Sequence, residues 1–291
     1  MVAVLLLISI TLYYLYLQKY KKQYKKQYKS ILITGASKGI GKALAIEFAK
    51  KKYKKKLFLL ARDKNALNDV IHECNKYKDT EIFIHQIDVT NREKMEDLIK
   101  SIYDLHFPDL IIANAGVTLY TGKKEKIDDA IYNLYNVNLF GVLNTILPAI
   151  SCIKSQKKNN STIAIMSSQA ANIALPGANA FYSSSKAAIS YLRGLRKVLD
   201  IYNINLVIIQ PGYIQTAITE KSEDLFIMKY INGDLTKSCQ KMIKKLEEGE
   251  RNINFPIIDH YLISFLNILP YYIQDKLWVF APNLIMGEKL E

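Results

Sequence analysis

From Ser30 onward the chain alternates short apolar runs with stretches in which apolar side chains recur every three or four residues. The runs 31–34, 57–61, 81–86, 110–113, 162–166 and 205–209 have strand length and are rich in β-branched residues. Between them, 39–52, 64–77, 91–103, 126–153 and 181–202 carry the helical period, and 234–248 leads to a last strand at 251–256. Strand, helix, strand, helix in regular order predicts an α/β fold, a doubly wound parallel sheet covered on both faces. The expected division is an anchor helix over 1–17, a basic linker over 18–29, a single α/β domain over 30–256, and an apolar helical extension over 257–291.

The two ends break the alternation. Residues 2–17 carry no charge, and as a helix they span roughly 24 Å, slightly short of a hydrocarbon core of about 30 Å. Charge follows the run and does not precede it: the first 56 residues hold fourteen lysines against Glu47, which alone accounts for the chain's net charge of +13. That order is the reverse of a cleaved signal peptide and matches an uncleaved membrane anchor with the domain on the cytoplasmic side. The competing reading is a short helix buried in the fold. Tyr16, Tyr20, Tyr24 and Tyr28 recur every four residues, either as one stripe of a helix on anionic headgroups or as part of a solvated linker.

No arginine precedes Arg62, so the basic residues lack the spread expected of a nucleic-acid binder, and no nucleic-acid partner is expected. In a parallel sheet the starts of the first two strands share one edge. The linker and the lysines at 50–56 therefore meet there, opposite the carboxyl edge, and this amino edge is expected to face the membrane. Cys74, Cys152 and Cys239 are distant and odd in number, which suits a reducing compartment. No histidine has metal-ligand spacing, and no metal is expected.

Two stretches carry chemistry. After the first strand, TGASKGIG runs from Thr34 to Gly41 and opens a helix. Glycines there allow a tight turn and let a pyrophosphate approach the amides of a helix amino terminus. Gly35, Ser37, Lys38, Gly39, Ile40 and Gly41 are the candidate contacts. The second strand ends at Ala61, Arg62 and Asp63, without an acid at the tip that would bind ribose hydroxyls. Arg62 and Lys38 are two cations suited to a 2′-phosphate, which favours NADP(H) over NAD(H), with Asp63 as the competing feature. Further along, YSSSK places Tyr182 and Lys186 at i and i+4 on one helix face. A free phenol titrates near 10, and a fixed ammonium beside it favours the phenolate.

These motifs together resemble the short-chain dehydrogenase/reductase family, whose fingerprints are TGxxxGxG and YxxxK. The resemblance extends over roughly 180 residues and implies an oxidoreductase on a Rossmann-type fold. It implies that Asp88 and Val89 bind adenine, and that Asn114, Ala115 and Gly116 form the NAG turn, with Ala113 in place of the family's first asparagine. It implies that Ser168 holds the substrate oxygen, with Ser167 as the alternative, and that Asn138 completes a proton relay with Tyr182 and Lys186. Pro211, Gly212, Ile214 and Thr216 match the stretch that contacts the nicotinamide.

The expected function is NADPH-dependent reduction of a ketone or aldehyde, or the reverse oxidation. An anchored chain with an apolar tail resembles the membrane-associated hydroxysteroid dehydrogenases and 3-ketodihydrosphingosine reductases, which points to a small lipophilic carbonyl substrate. The alternative is a non-catalytic NADP-binding sensor or scaffold. Residues 257–285, broken by Pro270 and Pro282, are open to three readings: a packed helical pair, a homodimer surface, or an interfacial helix.

Overall fold

A computed structural model describes residues 26–119, 126–156, 160–212, 214 and 233–279. The expected anchor, most of the linker, Thr216 and the last twelve residues lie outside the described residues. Seven parallel strands form one sheet: β1 (Ser30–Thr34), β2 (Lys55–Ala61), β3 (Thr80–Gln86), β4 (Leu110–Ala113), β5 (Ser161–Met166), β6 (Ile204–Pro211) and β7 (Asn252–Phe255). Their order is β3-β2-β1-β4-β5-β6-β7. The direction of winding reverses between β1 and β4, which is where a doubly wound sheet opens a crevice at its carboxyl edge.

All five residues of β1 are buried because both faces of the sheet are covered. Ile31 and Ile33 point to one side, against Leu44 and Phe48 of helix α1 (Gly39–Ala49), Leu67 and Val70 of α2 (Lys64–Cys74), and Met242 and Leu246 of α8 (Leu235–Glu247). Leu32 points to the other side. It meets a core that includes Met95 and Ile99 of α3 (Arg92–His106), Val142 and Ile146 of α5 (Gly141–Gln156), and Ile189 of α6 (Asn179–Tyr191). The period-two alternation along one strand thus fills two separate cores.

The stretch expected as one helix over 126–153 is α4 (Ile127–Tyr135), a single π turn (Asn136–Phe140) and α5. The combined rod is long and apolar enough to cross a bilayer, but half of its apolar window is buried in this domain. It is a core helix here. After a short α7 (Arg196–Asp200), the extension forms α9 (Ile257–Leu266) and α10 (Tyr271–Val279).

The end of the linker belongs to the domain. Tyr28 is 1% exposed, its phenol bonded to the Leu246 carbonyl and the Thr162 hydroxyl at 3.1 Å each. The backbone N–H of Lys26 donates to the Glu247 carbonyl, and the Asp109 carboxylate accepts from the N–H groups of Lys29 and Ser30. Tyr28 therefore leaves the expected tyrosine stripe and acts as a peg at the amino edge. Of the linker lysines only Lys26 and Lys29 are among the described residues, and Lys29 reaches the second cluster: Lys56 donates its N–H to the Lys29 carbonyl, and Ser30 pairs with Lys56 in the sheet. Several of these charges already have partners, namely Lys50 with Glu47, Lys51 with Glu247 and Lys56 with Glu81.

Tyr28→Ala is expected to lower unfolding free energy by about 3–5 kcal/mol, the usual cost of emptying a buried aromatic site. Tyr28→Phe, which loses only the hydrogen bonds, should cost about 1 kcal/mol. Urea titrations of the two variants and the native chain measure both.

Candidate active site

The carboxyl ends of the strands converge on a cavity of about 660 Å³. At its floor Thr34 and Asn114 join β1 to β4. The Thr34 hydroxyl accepts from the N–H groups of Asn114 and Ala115, at 3.0 and 3.1 Å, and the Asn114 amide donates to the Thr34 and Gly35 carbonyls. The turn between β1 and α1 is pressed against this junction. Gly35 and Gly39 have φ of +66° and +55°, a region that disfavours side chains. A Cβ on Gly41 would stand 2.3 Å from the Gly35 carbonyl oxygen and 2.6 Å from Asn114 Nδ2. Only glycine lets the first turn of α1 lie this close.

The free amides of α1 complete the cradle. Helices α2, α3 and α8 are capped by Asp63, Asn91 and Asp234, whereas the cap residue of α1, Lys38, makes no side-chain cap bond. The orphan N–H groups of α1 open on the cavity through Gly39 and Ile40, as a pyrophosphate requires. The cavity is also lined by Gly35, Ser37 and Lys38, by Arg62 beyond β2, and by Asp88 and Val89 beyond β3. Asp63 is accounted for: its carboxylate accepts from the Ala66 N–H at 3.0 Å as the cap of α2. Arg62 and Lys38 are both exposed, and Arg62 approaches Asp88 at 3.7 Å. Sites of this kind fit a dinucleotide.

Asn114, Ala115 and Gly116 line the middle of the cavity, and Pro211, Gly212 and Ile214 close its far side. There Ser168, Tyr182 and Lys186 come together. Burial pushes the Tyr182 phenol above its ordinary range, and a hydrogen bond with the Ser168 hydroxyl pulls it back. Lys186 Nζ lies 5.8 Å from the Tyr182 ring centroid and donates to the Met166 carbonyl at 3.1 Å. Burial lowers its pKa to about 8. The two adjacent serines turn different ways. Ser168 faces the phenol, whereas the Ser167 hydroxyl turns inward to the Lys186 carbonyl and Ser190.

Asn138 does not line the cavity. It sits fully buried in the π turn, its amide donating to the Val117 carbonyl and the Ser185 hydroxyl and its oxygen accepting from the Val117 N–H. Its oxygen and Lys186 Nζ nevertheless converge on Gly116, where a Cβ would lie 3.3 and 3.2 Å from them. Contributors that motif reading missed are Val117, Thr118 and Met166 on the wall, and Asn144, whose amide donates to the Val89 carbonyl. Val117 and Thr118 directly follow the NAG turn, which was the available signal.

Comparison with known proteins agrees with this geometry. Residues 29–225 match the short chain dehydrogenase family, and the protein belongs to it. It is 29% identical over 257 residues to an 11-beta-hydroxysteroid dehydrogenase-like 2 protein of Arabidopsis thaliana, covering 86% of this chain and 81% of that one. It is 30% identical over 190 residues to an NADP-dependent 3-hydroxy acid dehydrogenase of Schizosaccharomyces pombe, covering 64% and 72%. The fold is shared with a short-chain dehydrogenase from Sphingobium yanoikuyae solved with NADPH, at a TM-score of 0.68 and 18% identity over 90% of this chain and 96% of that one. The protein is thus an oxidoreductase of this family.

Gly41→Ala tests the cradle. Relieving the clash at an overpacking cost of about 1–3 kcal/mol should weaken dinucleotide binding by about ten- to a hundredfold, measured by NADPH fluorescence titration with circular dichroism as the control for folding.

Proposed function

We propose that this protein is an NADPH-dependent carbonyl reductase, able to run in reverse as an alcohol dehydrogenase, whose substrate is a lipophilic ketone or aldehyde. The carrying observation is the meeting of Ser168, Tyr182 and Lys186 on one wall of a cavity whose other end holds Lys38 and Arg62. NADPH held in this cavity would supply a hydride to the carbonyl carbon. Tyr182 gives its phenolic proton to the oxygen as charge develops there, and Ser168 holds that oxygen through its hydroxyl. Lys186, as an ammonium, steadies the phenolate that is left and would hold the ribose of the nicotinamide half. Asn138, set against Lys186 across Gly116, leads the proton path toward solvent. Arg62 and Lys38 would hold the 2′-phosphate, Asp88 and Val89 the adenine, and Pro211, Gly212, Ile214 and Thr216 the nicotinamide.

The lipophilic substrate is supported by apolar lining at Val117, Met166 and Ile214, and by α9. That helix contacts the turn after Ser168 and leaves Tyr261, Leu262 and Phe265 exposed. The relatives' own names point to different substrates, a steroid and a 3-hydroxy acid, at nearly equal identity. The run at 2–17 is read as an anchor, with the peg at Tyr28 turning the amino edge toward the membrane and the domain on its cytoplasmic side. Labelling that finds α9 in lipid while the lysines at 50–56 stay exposed would reject that orientation. Exposed Tyr132, Phe140 and Leu147 on the α4–α5 rod and Tyr191 on neighbouring α6 support a homodimer.

A panel of steroid, retinal, long-chain 3-keto lipid and small aldehydes, followed by NADPH absorbance, tests the substrate class. Tyr182→Phe should cut turnover by about 10²–10⁴-fold, the usual share of general acid catalysis, with NADPH affinity kept. An unchanged rate on every substrate would refute the assignment. Lys186→Met removes the charge that favours phenolate, so the alkaline rise of alcohol oxidation should move to higher pH. Arg62→Ala should lower the preference for NADPH over NADH by about ten- to a hundredfold, the worth of a charge-assisted contact, read from kcat/KM with each cofactor.

A further inference from the structure

Behind the cavity wall four polar side chains outside the reacting set are joined end to end. The Lys186 carbonyl can only accept, and it accepts from Ser167 Oγ at 2.9 Å. The single hydroxyl hydrogen of Ser167 is used there, so its oxygen must accept from Ser190 Oγ, 2.8 Å away. The Ser190 hydrogen is then spent in turn, and its oxygen accepts from Gln210 Nε2 at 3.1 Å. Gln210 closes the run with a reciprocal amide pair to Asn172, 3.3 Å in each direction. The carbonyl at one end therefore dictates the direction of every bond. Ser167, Ser190 and Gln210 are only 2%, 2% and 8% exposed, so water does not readily replace a lost link.

The placement of the run matters more than its length. Ser167 immediately precedes Ser168, and Asn172 ends the 3₁₀ turn (Gln169–Asn172) that Ser168 caps. Ser190 stands on α6 one turn beyond Lys186, and Gln210 on β6 next to Pro211. One chain of bonds thus grips both ends of the segment carrying Ser168 and ties it to the helix carrying Tyr182 and Lys186. We propose that Gln210 and Ser190 are positioning residues, holding Ser168 in register with Tyr182 and Lys186 through Ser167 and Asn172. This rests on the reading of those three as the reacting set. Asn267, the cap at the carboxyl end of α9, donates to the Asn172 carbonyl, so the same run also meets the apolar helix beside the cavity.

The test uses the full chain and the panel carbonyl that it reduces fastest. Ser190→Ala and Gln210→Leu should each lower kcat by about ten- to a hundredfold, the usual cost of a reacting group held slightly out of place, with KM and NADPH affinity unchanged. Each should also shift the pH profile of alcohol oxidation, since the surroundings of the phenol change. The double variant should be no slower than the slower single one, because a cut chain cannot be cut again. Native kcat and a native pH profile in the single variants would overturn the proposal. So would losses that multiply in the double variant while KM rises, the mark of general packing damage. Should Gln210→Leu melt at the assay temperature, Ser190→Ala, which removes one oxygen, decides the matter. Tyr182→Phe separates the two readings. If it is inactive and the chain variants are native, only the positioning proposal fails. If it keeps its rate, the reacting set itself is misassigned.

Discussion

Thr34 and Asn114 hold the carboxyl ends of the two central strands together, and most of the cavity follows from that contact. The Asn114 amide reaches back over β1 to the Gly35 carbonyl. Nothing larger than hydrogen then fits at Gly41, so α1 enters with its first amides turned to the crevice. The reversal of strand order at the same point leaves that crevice uncovered by any crossover. Cradle, switch point and glycine spacing are three expressions of one close approach.

A second constraint is electrical. An ammonium taken from water costs several kcal/mol unless it is well bonded, and Lys186 is nearly buried with the Met166 carbonyl as its hydrogen-bond acceptor. The cost appears as a pKa lowered to about 8. The group lies beside a phenol that burial alone would make a weaker acid.

The strands were legible to within two residues at each end, since a sheet buried on both faces makes most of its strands apolar runs bounded by polar turns. The π turn was not legible. Asn136–Phe140 keeps a helical apolar pattern, and its extra residue shows only in the backbone that carries Asn138 inward. Tyr28 also escaped, because its four-residue spacing matched a helix while its hydrogen-bond partner at Leu246 is 218 residues away.

By itself the sequence determined the order of strands and helices, the glycine turn, the pairing of Tyr182 with Lys186 and the absence of an acid at the tip of β2. These are matters of local period and short spacing, which the covalent chain enforces. Only the tertiary structure decided which of two adjacent serines faces the phenol, that Asp63 caps a helix, and that Gln210 and Ser190 stand behind the cavity wall that carries Ser168. Those outcomes depend on which way a side chain turns, and that is set by partners far along the chain that packing brings within hydrogen-bond reach.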